Sequence, residues 1–217
     1  MSAPGEDLLL AKRIERALFA PDATRSDIEK LCAEAREQSW FAVCVNGCRV
    51  ELARTLLEES EVRIVALVGF PTGAGDTDAK RYETEIAVDQ DAHEIEAVIN
   101  IGRLKEGDRR FVLREMRDIV EAADERPVKL VLETHLLARE EIILAAELAL
   151  DSGAQFVSTS TDWHVPDVKL ADVALLREKA GAEFGIKAAG NIRNAQTAHA
   201  LINAGATRIG TTSVFSA

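Results

Sequence analysis

A short β-rich run followed by a charged amphipathic run recurs along this chain, and that alternation limits its fold more than any other feature. Seven runs read as strands: 41–45 (FAVCV), 64–70 (IVALVGF), 94–101 (EIEAVINI), 128–134 (VKLVLET), 155–161 (QFVSTST), 184–190 (FGIKAAG) and 208–212 (RIGTT). Helical patterns lie between them at 26–39, 78–90, 109–123, 140–151, 167–180 and 195–204. In the first of these, Ile28, Leu31, Cys32 and Ala35 share one helical face, and Ser26 with Glu29 reads as a capping box. Gly153, Gly181 and Gly205 stand where helix ends favour a left-handed residue. Strands alternating with helices imply parallel pairing through right-handed crossovers. Two architectures satisfy this rhythm, an open doubly wound sheet and a closed barrel with a poorly marked first strand. A dinucleotide-type open sheet needs a glycine-rich turn after its first strand, and Asn46-Gly47-Cys48 is not one. The expectation is an α/β fold, a single (β/α)8 TIM barrel over residues 1–217, with the missing strand near 13–19.

Composition narrows the function. The chain has 217 residues, a length that α/β barrels use for one domain. It carries 26 Lys+Arg against 37 Asp+Glu, a net charge of −11, which argues against nucleic-acid and anionic-membrane partners. Cys32, Cys44 and Cys48 are too few for a disulfide framework and lack zinc-site spacing. His93, His135, His164 and His199 are scattered, so no metal and no cofactor are expected. No apolar run reaches the roughly 18 residues of a membrane span. The opening MSAPGEDLLLAKRIERAL lacks the apolar core of a signal peptide, so the expected location is the cytoplasm. Barrels of this kind often pair, which makes a homodimer the candidate assembly.

In a barrel, chemistry gathers at the carboxyl ends of the strands. Those ends carry Cys44 and Asn46, residues 69–73, then Glu96, Asn100 and Arg103, then Lys129, Glu133 and His135. Residues 158–164, 187–193 and 210–213 follow. Alternation puts Lys129 with Glu133, Ser158 with Ser160, and Glu96 with Asn100 on common faces. Lys187, inside the apolar run GIKAAG, is the sharpest feature. A buried lysine serves as a reactive amine or general base, or else as half of an ion pair across the barrel. Gly190 and Gly210, with Asn191, Thr212 and Ser213 after them, offer backbone N–H groups to an anion, or are ordinary turn residues. Asp162 and His164 read as an acid–base pair, or the Asp-Trp-His segment is a capped loop with an aromatic plug. His135 reads better as a loop histidine than as a catalyst, and Cys48 and Cys32 read as packing.

Taken in order, FAVCVNGCRVELAR, VALVGFPTGAG, EIEAVINIGRLKEGD, VKLVLETHLL, FVSTSTDWH, GIKAAGNIR and RIGTTS resemble the strands and loops of the deoxyribose-phosphate aldolase family across nearly the whole chain. The resemblance implies a class I aldolase barrel and places the first strand around residues 15–19. It also implies an imine-forming lysine on the sixth strand, a second lysine on the seventh, a proton-transferring aspartate on the fourth, and phosphate contacts from the last three loops. Several positions depart from that pattern. The family's Lys-Thr-Ser-Thr-Gly is Ser158-Thr159-Ser160-Thr161-Asp162, so the imine position is a serine. The fourth-strand aspartate is Glu96, the early Asp-His-Thr is Glu15-Arg16-Ala17, and a seventh-loop glycine is Asn191. Lys187, Lys129, Asn46, Glu133, Gly190, Gly210, Thr212 and Ser213 survive.

The first expectation is a repurposed carbon–carbon lyase or related acid–base enzyme acting on a small carbonyl or sugar-like substrate, with or without a phosphate. Its catalytic candidates are Lys187, Glu96, Lys129, Ser158, Asp162 and His164. Its binding candidates are Cys44, Asn46, Glu133, Ser160, Gly190, Asn191, Gly210, Thr212 and Ser213. An imine would need Lys187 or Lys129. Arg103 and Arg193 are further candidates to offset an anion. The alternatives are an aldolase of the family's usual specificity with a relocated lysine, and a barrel that binds a metabolite without turnover.

Overall fold

The computed structural model describes residues 9–213. Its strands are β1 (Ile14–Leu18), β2 (Ala42–Asn46), β3 (Arg63–Val68), β4 (Glu94–Val98), β5 (Val128–Val131), β6 (Phe156–Ser158), β7 (Gly185–Ala188) and β8 (Arg208–Thr211). All neighbours pair in parallel, and β8 closes on β1 with Glu15 opposite Gly210. Closure decides between the two architectures in favour of the barrel. The helices are α1 (Arg25–Glu37), α2 (Val50–Leu56), α3 (Thr77–Asp89), α4 (Ile101–Lys105), α5 (Arg109–Ala122), α6 (Arg139–Ser152), α7 (Leu170–Ala180) and α8 (Ala195–Asn203).

Register divides each strand into two faces. Outward residues such as Val43, Ile64, Ile95, Leu130, Val157, Ile186 and Ile209 join the apolar layer beneath the helices. Full burial of side chains of this size stabilises by about 1.5–3 kcal/mol each. The inward set runs through Glu96, Lys129 and Phe156 at one level, and through Val131, Ser158, Lys187 and Arg208 at the next. The outer layer is hydrocarbon and much of the inner one is charged.

The strands end earlier than the sequence suggests because the chain leaves the sheet to build loops. β4 stops at Val98, and Asn100, expected beside Glu96, instead caps α4 by accepting from Arg103 N at 3.1 Å. The helix expected from residue 167 begins at Leu170 because 162–169 crosses the barrel mouth, tied by Val168 N–H donating to Gly190 O. The cap of α1 is Thr24 with Asp27, not Ser26 with Glu29. Short α2 and α4 escape the sequence pattern because each buries only two side chains. Cys32 and Trp40 are core residues, His199 is half-buried, and Cys48, expected to pack, is exposed. The signal-peptide reading rests partly on residues 1–8, which lie outside the described residues. Among the described residues no helix is long and apolar enough to cross a membrane.

Candidate active site

Three carboxylates and three cations meet inside the barrel. Lys187 Nζ donates to Glu96 Oε2 and lies 2.8 Å from Glu15 Oε2. Lys129 Nζ donates to Glu94 Oε2 and lies 3.4 Å from Glu15 Oε1. Arg208 stacks on Phe41 at 3.7 Å and brings Nε to 3.8 Å from Glu15 Oε1. Glu15 is thus held by charge from three sides without a directed hydrogen bond. An isolated ion at this depth would cost several kcal/mol, so the pairing makes the arrangement tolerable.

Numbers of partners set the protonation states. Burial opposes the charged form of Lys187, but Glu15 and Glu96 outweigh it and hold the ammonium well above the usual lysine range. Burial opposes Lys129 in the same way, and Glu15, Glu94 and Glu96 raise it. For Glu15, burial is overcome by Lys129 and Lys187, and its carboxyl falls below the ordinary value. Lys187 is therefore held as an ammonium between two carboxylates. The reading of Lys187 as one half of an ion pair across the barrel describes its contacts. Cys44 reaches the same cluster, its Sγ 3.5 Å from Glu96 Oε2, and burial pushes its thiol well up. Gly210 makes this packing feasible, because a Cβ there would stand 2.5 Å from Lys187 Cε.

Above the cluster, Ser158 is fully buried and lies in register with Lys187. Its Oγ donates to Ser160 O at 3.3 Å. Ser160 Oγ donates to Ala189 O at 3.2 Å and accepts from Asp162 N at 3.1 Å. Glu133 turns in with φ 51° and accepts from Thr161 N at 2.6 Å. Burial raises its pKa, against the Thr161 hydrogen bond. Its second oxygen lies 3.1 Å from Nδ1 of half-buried His135, outside hydrogen-bonding direction.

The β6–β8 rim corrects several expectations. Asp162 does not pair with His164. Its Oδ1 accepts from Asn191 N at 2.6 Å, and its Oδ2 accepts from Thr212 N at 3.0 Å and Thr212 Oγ1 at 2.9 Å. His164 is exposed, with its ring against Trp163 at 4.7 Å. Trp163 packs on Phe19 and Phe70 at 5.7 and 5.9 Å, the aromatic plug of the alternative reading. Gly190 has φ 127°, and a Cβ there would press on Pro166 O and Val168 at 3.2–3.3 Å, so this glycine serves the crossing loop. Asn191 Nδ2 holds Val165 O at 2.7 Å. Ser213 N donates to Thr211 Oγ1 at 3.0 Å, and Asn46 Nδ2 donates to Phe19 O at 3.1 Å, so both brace loops. Exposed Arg103 is engaged by Glu106 at 3.2 Å, and Arg193 Nη2 donates to Asn191 Oδ1 at 3.3 Å.

Glu94 and Arg208 went unnoticed in the sequence although both lie two residues from a named site position, Glu96 and Gly210. Alternation carried one step back down each strand finds them. Among the described residues, no group of three or more His, Cys, Asp or Glu is arranged to hold a metal ion.

Fold and site together define a (β/α)8 barrel with paired lysines and carboxylates beneath its carboxyl-terminal mouth. Residues 15–207 match the family described as DeoC/LacD family aldolase. The deoxyribose-phosphate aldolase of Alkaliphilus oremlandii is 45% identical over 202 residues, 93% of this chain and 91% of that protein. That of Aciduliprofundum boonei is 47% identical over 203 residues, again 93% and 91%. Among solved structures, the aldolase QR15 superposes with a TM-score of 0.90 at 33% identity, covering 94% of this chain and 91% of its own. The tetrameric deoxyribose phosphate aldolase of Aeropyrum pernix gives 0.87 at 27% identity, covering 97% and 94%. This chain belongs to the DeoC/LacD family of aldolases, whose activity is that of a lyase.

Proposed function

We propose that this chain makes or breaks a carbon–carbon bond next to a carbonyl in a small sugar-like substrate, and does so without an imine. The observation that carries the reading is Lys187, clamped as an ammonium between Glu15 and Glu96 beside Ser158. The relatives named deoxyribose-phosphate aldolase support the substrate class. In the cleavage direction, Glu96 takes the proton of the hydroxyl β to the carbonyl. The carbon–carbon bond breaks, and its electron pair becomes an enolate whose oxygen is held by Lys187 Nζ. Glu96 then returns the proton to the enolate carbon, giving two carbonyl products. A cation preorganised in a dry site is well suited to such a developing oxyanion. Ser158 and Ser160 orient the substrate, Glu133 and Cys44 bound the site, and Lys129 pairs with Glu94 and holds the Glu15 carboxyl low. The same reading takes residues 1–217 as one barrel domain, working in the cytoplasm. The tetrameric Aeropyrum pernix relative supports a self-associated form, a homodimer being the smallest.

The test has two arms. Borohydride reduction with deoxyribose 5-phosphate, and with acetaldehyde, is read by peptide mass spectrometry. No adduct on the wild type is expected, and an adduct on Lys187 or Lys129 overturns the imine-free reading. Exchange of acetaldehyde methyl protons in D2O is read by NMR. Wild type catalyses exchange, while Lys187→Met and Glu96→Gln each lose it by about 10²-fold or more, the scale of a lost oxyanion donor or proton carrier. Absence of exchange in the wild type would favour a binding barrel.

A further inference from the structure

The β6, β7 and β8 loops each contribute to one convergent set of hydrogen bonds at the mouth. Two backbone N–H groups, of Asn191 and Thr212, and the Thr212 hydroxyl all point at a single anionic group. Backbone N–H groups gathered from the last loops of a barrel form an anion cradle. The anion present is the carboxylate of Asp162, a residue of the chain itself. Asp162 adopts φ 61°, a left-handed conformation that aspartate tolerates better than most side chains and glycine adopts freely. Its own N–H is fixed by Ser160 Oγ, so the carboxylate is aimed into the cradle from a braced turn. Half-buried Arg16 lies close enough for its charge, weakened by burial, to be supported by Glu34 and Asp162.

We infer that Asp162 is a built-in anion that fills the phosphate-type cradle of the mouth, so that the substrate of this site carries no phosphate there. The inference rests on the reading that the mouth is the substrate site, and it refines the substrate class to uncharged sugars and short hydroxyaldehydes. Both carboxylate oxygens are already bonded to the cradle donors. A phosphate would have to displace a covalently tethered competitor and then sit beside its negative charge. An uncharged hydroxyl terminus has no such conflict, and can donate to the carboxylate.

The experiment titrates inorganic phosphate into the full chain and follows the Asn191 and Thr212 amide resonances. It compares wild type, Asp162→Gly and Asp162→Asn. Wild type is expected to show no saturable shift at these amides. The glycine variant opens the cradle without backbone strain and binds phosphate at least about tenfold more tightly, a change of roughly 1.4 kcal/mol. The asparagine variant removes only the charge and gains a smaller increase; it decides the matter alone if the glycine variant does not fold. Wild type binding phosphate at these amides as tightly as the variants overturns the inference, and so does failure of every folded variant to gain binding. Because phosphate binding is read without turnover, a wild type inert in acetaldehyde exchange would remove the catalytic reading and leave the cradle result standing.

Discussion

Two lysines are buried on opposite sides of the barrel wall, and their surroundings send them in opposite directions. Lys80, on α3, lies outside the strands, with Nζ 3.0 Å from Glu115 Oε1 on α5 and 2.9 Å from Val98 O. Lys187 lies inside, between Glu15 and Glu96. Each stem rests on a glycine: a Cβ at Gly69 would stand 3.0 Å from Lys80 Cε, and one at Gly210 would stand 2.5 Å from Lys187 Cε. Burial lowers the Lys80 pKa, and Glu115 in contact, with Glu83 further off, only partly compensates. Two carboxylates reverse that balance at Lys187. Burial alone therefore does not fix the balance at a lysine; direct contact with carboxylates matters, one at Lys80 and two at Lys187. Glu115 also accepts from Asn100 N at 2.9 Å, so the outer pair clamps α3, β4 and α5 together.

The largest expected effect is on the outer pair. Lys80→Met takes away the cation paired with fully buried Glu115 and should cost about 3–5 kcal/mol in denaturant unfolding. Lys187→Met leaves Glu15 with Lys129 and Arg208, and Glu96 with the Cys44 thiol and the charge of Lys129, and should cost less, about 1–3 kcal/mol. A larger loss for Lys187→Met than for Lys80→Met would break the comparison. The glycine beds sharpen it. Gly210→Ala overpacks the barrel interior and is expected to cost about 1–3 kcal/mol, with loss of acetaldehyde exchange as Lys187 is displaced. Gly69→Ala meets a more yielding contact but has φ 62°, and is expected to cost about 1–2 kcal/mol through backbone strain.

The smallest effect is a pair of opposed pH slopes. Free lysine titrates near about 10.4. The folded value of Lys80 lies below that, so it adds stability as pH rises from its folded value to the unfolded one. The folded value of Lys187 lies above, so its contribution is complete below about 10.4 and is lost as pH rises towards the folded value. Between about pH 9 and 11, Lys187→Met should flatten the alkaline loss of stability and Lys80→Met should steepen it. Slopes of one sign in both variants would show that the two environments do not differ.

Much of the barrel was legible because its rules are local. A period of two in the strands and apolar faces in the helices placed seven strands and six helices within a few residues of where they stand. The remaining strand, β1, was weakly marked because Glu15 and Arg16 interrupt its apolar run. Glu15 belongs to the interior charge cluster, so the residue that obscured the strand is the one that Lys129 and Lys187 share. The candidate residues were found as a group for the same reason of parity. Their partners were not, because Asp162 lies 50 positions from Thr212 and Lys187 lies 91 from Glu96, separations that no local pattern reaches.

The amino-acid order alone determined the alternation of strands and helices, the placement of Glu96, Lys129, Ser158 and Lys187 on strands, and the substitution of serine at the imine position. Closure of the sheet settled the rest. Bringing β1 beside β8 set Glu15 against Lys187 and made that lysine a fixed cation. Gathering the last three loops turned the Asp162 carboxylate onto Asn191 and Thr212 instead of onto His164. Protonation and hydrogen-bond choice depend on distances between charges and donors far apart in the chain, and those distances exist only once the barrel is closed.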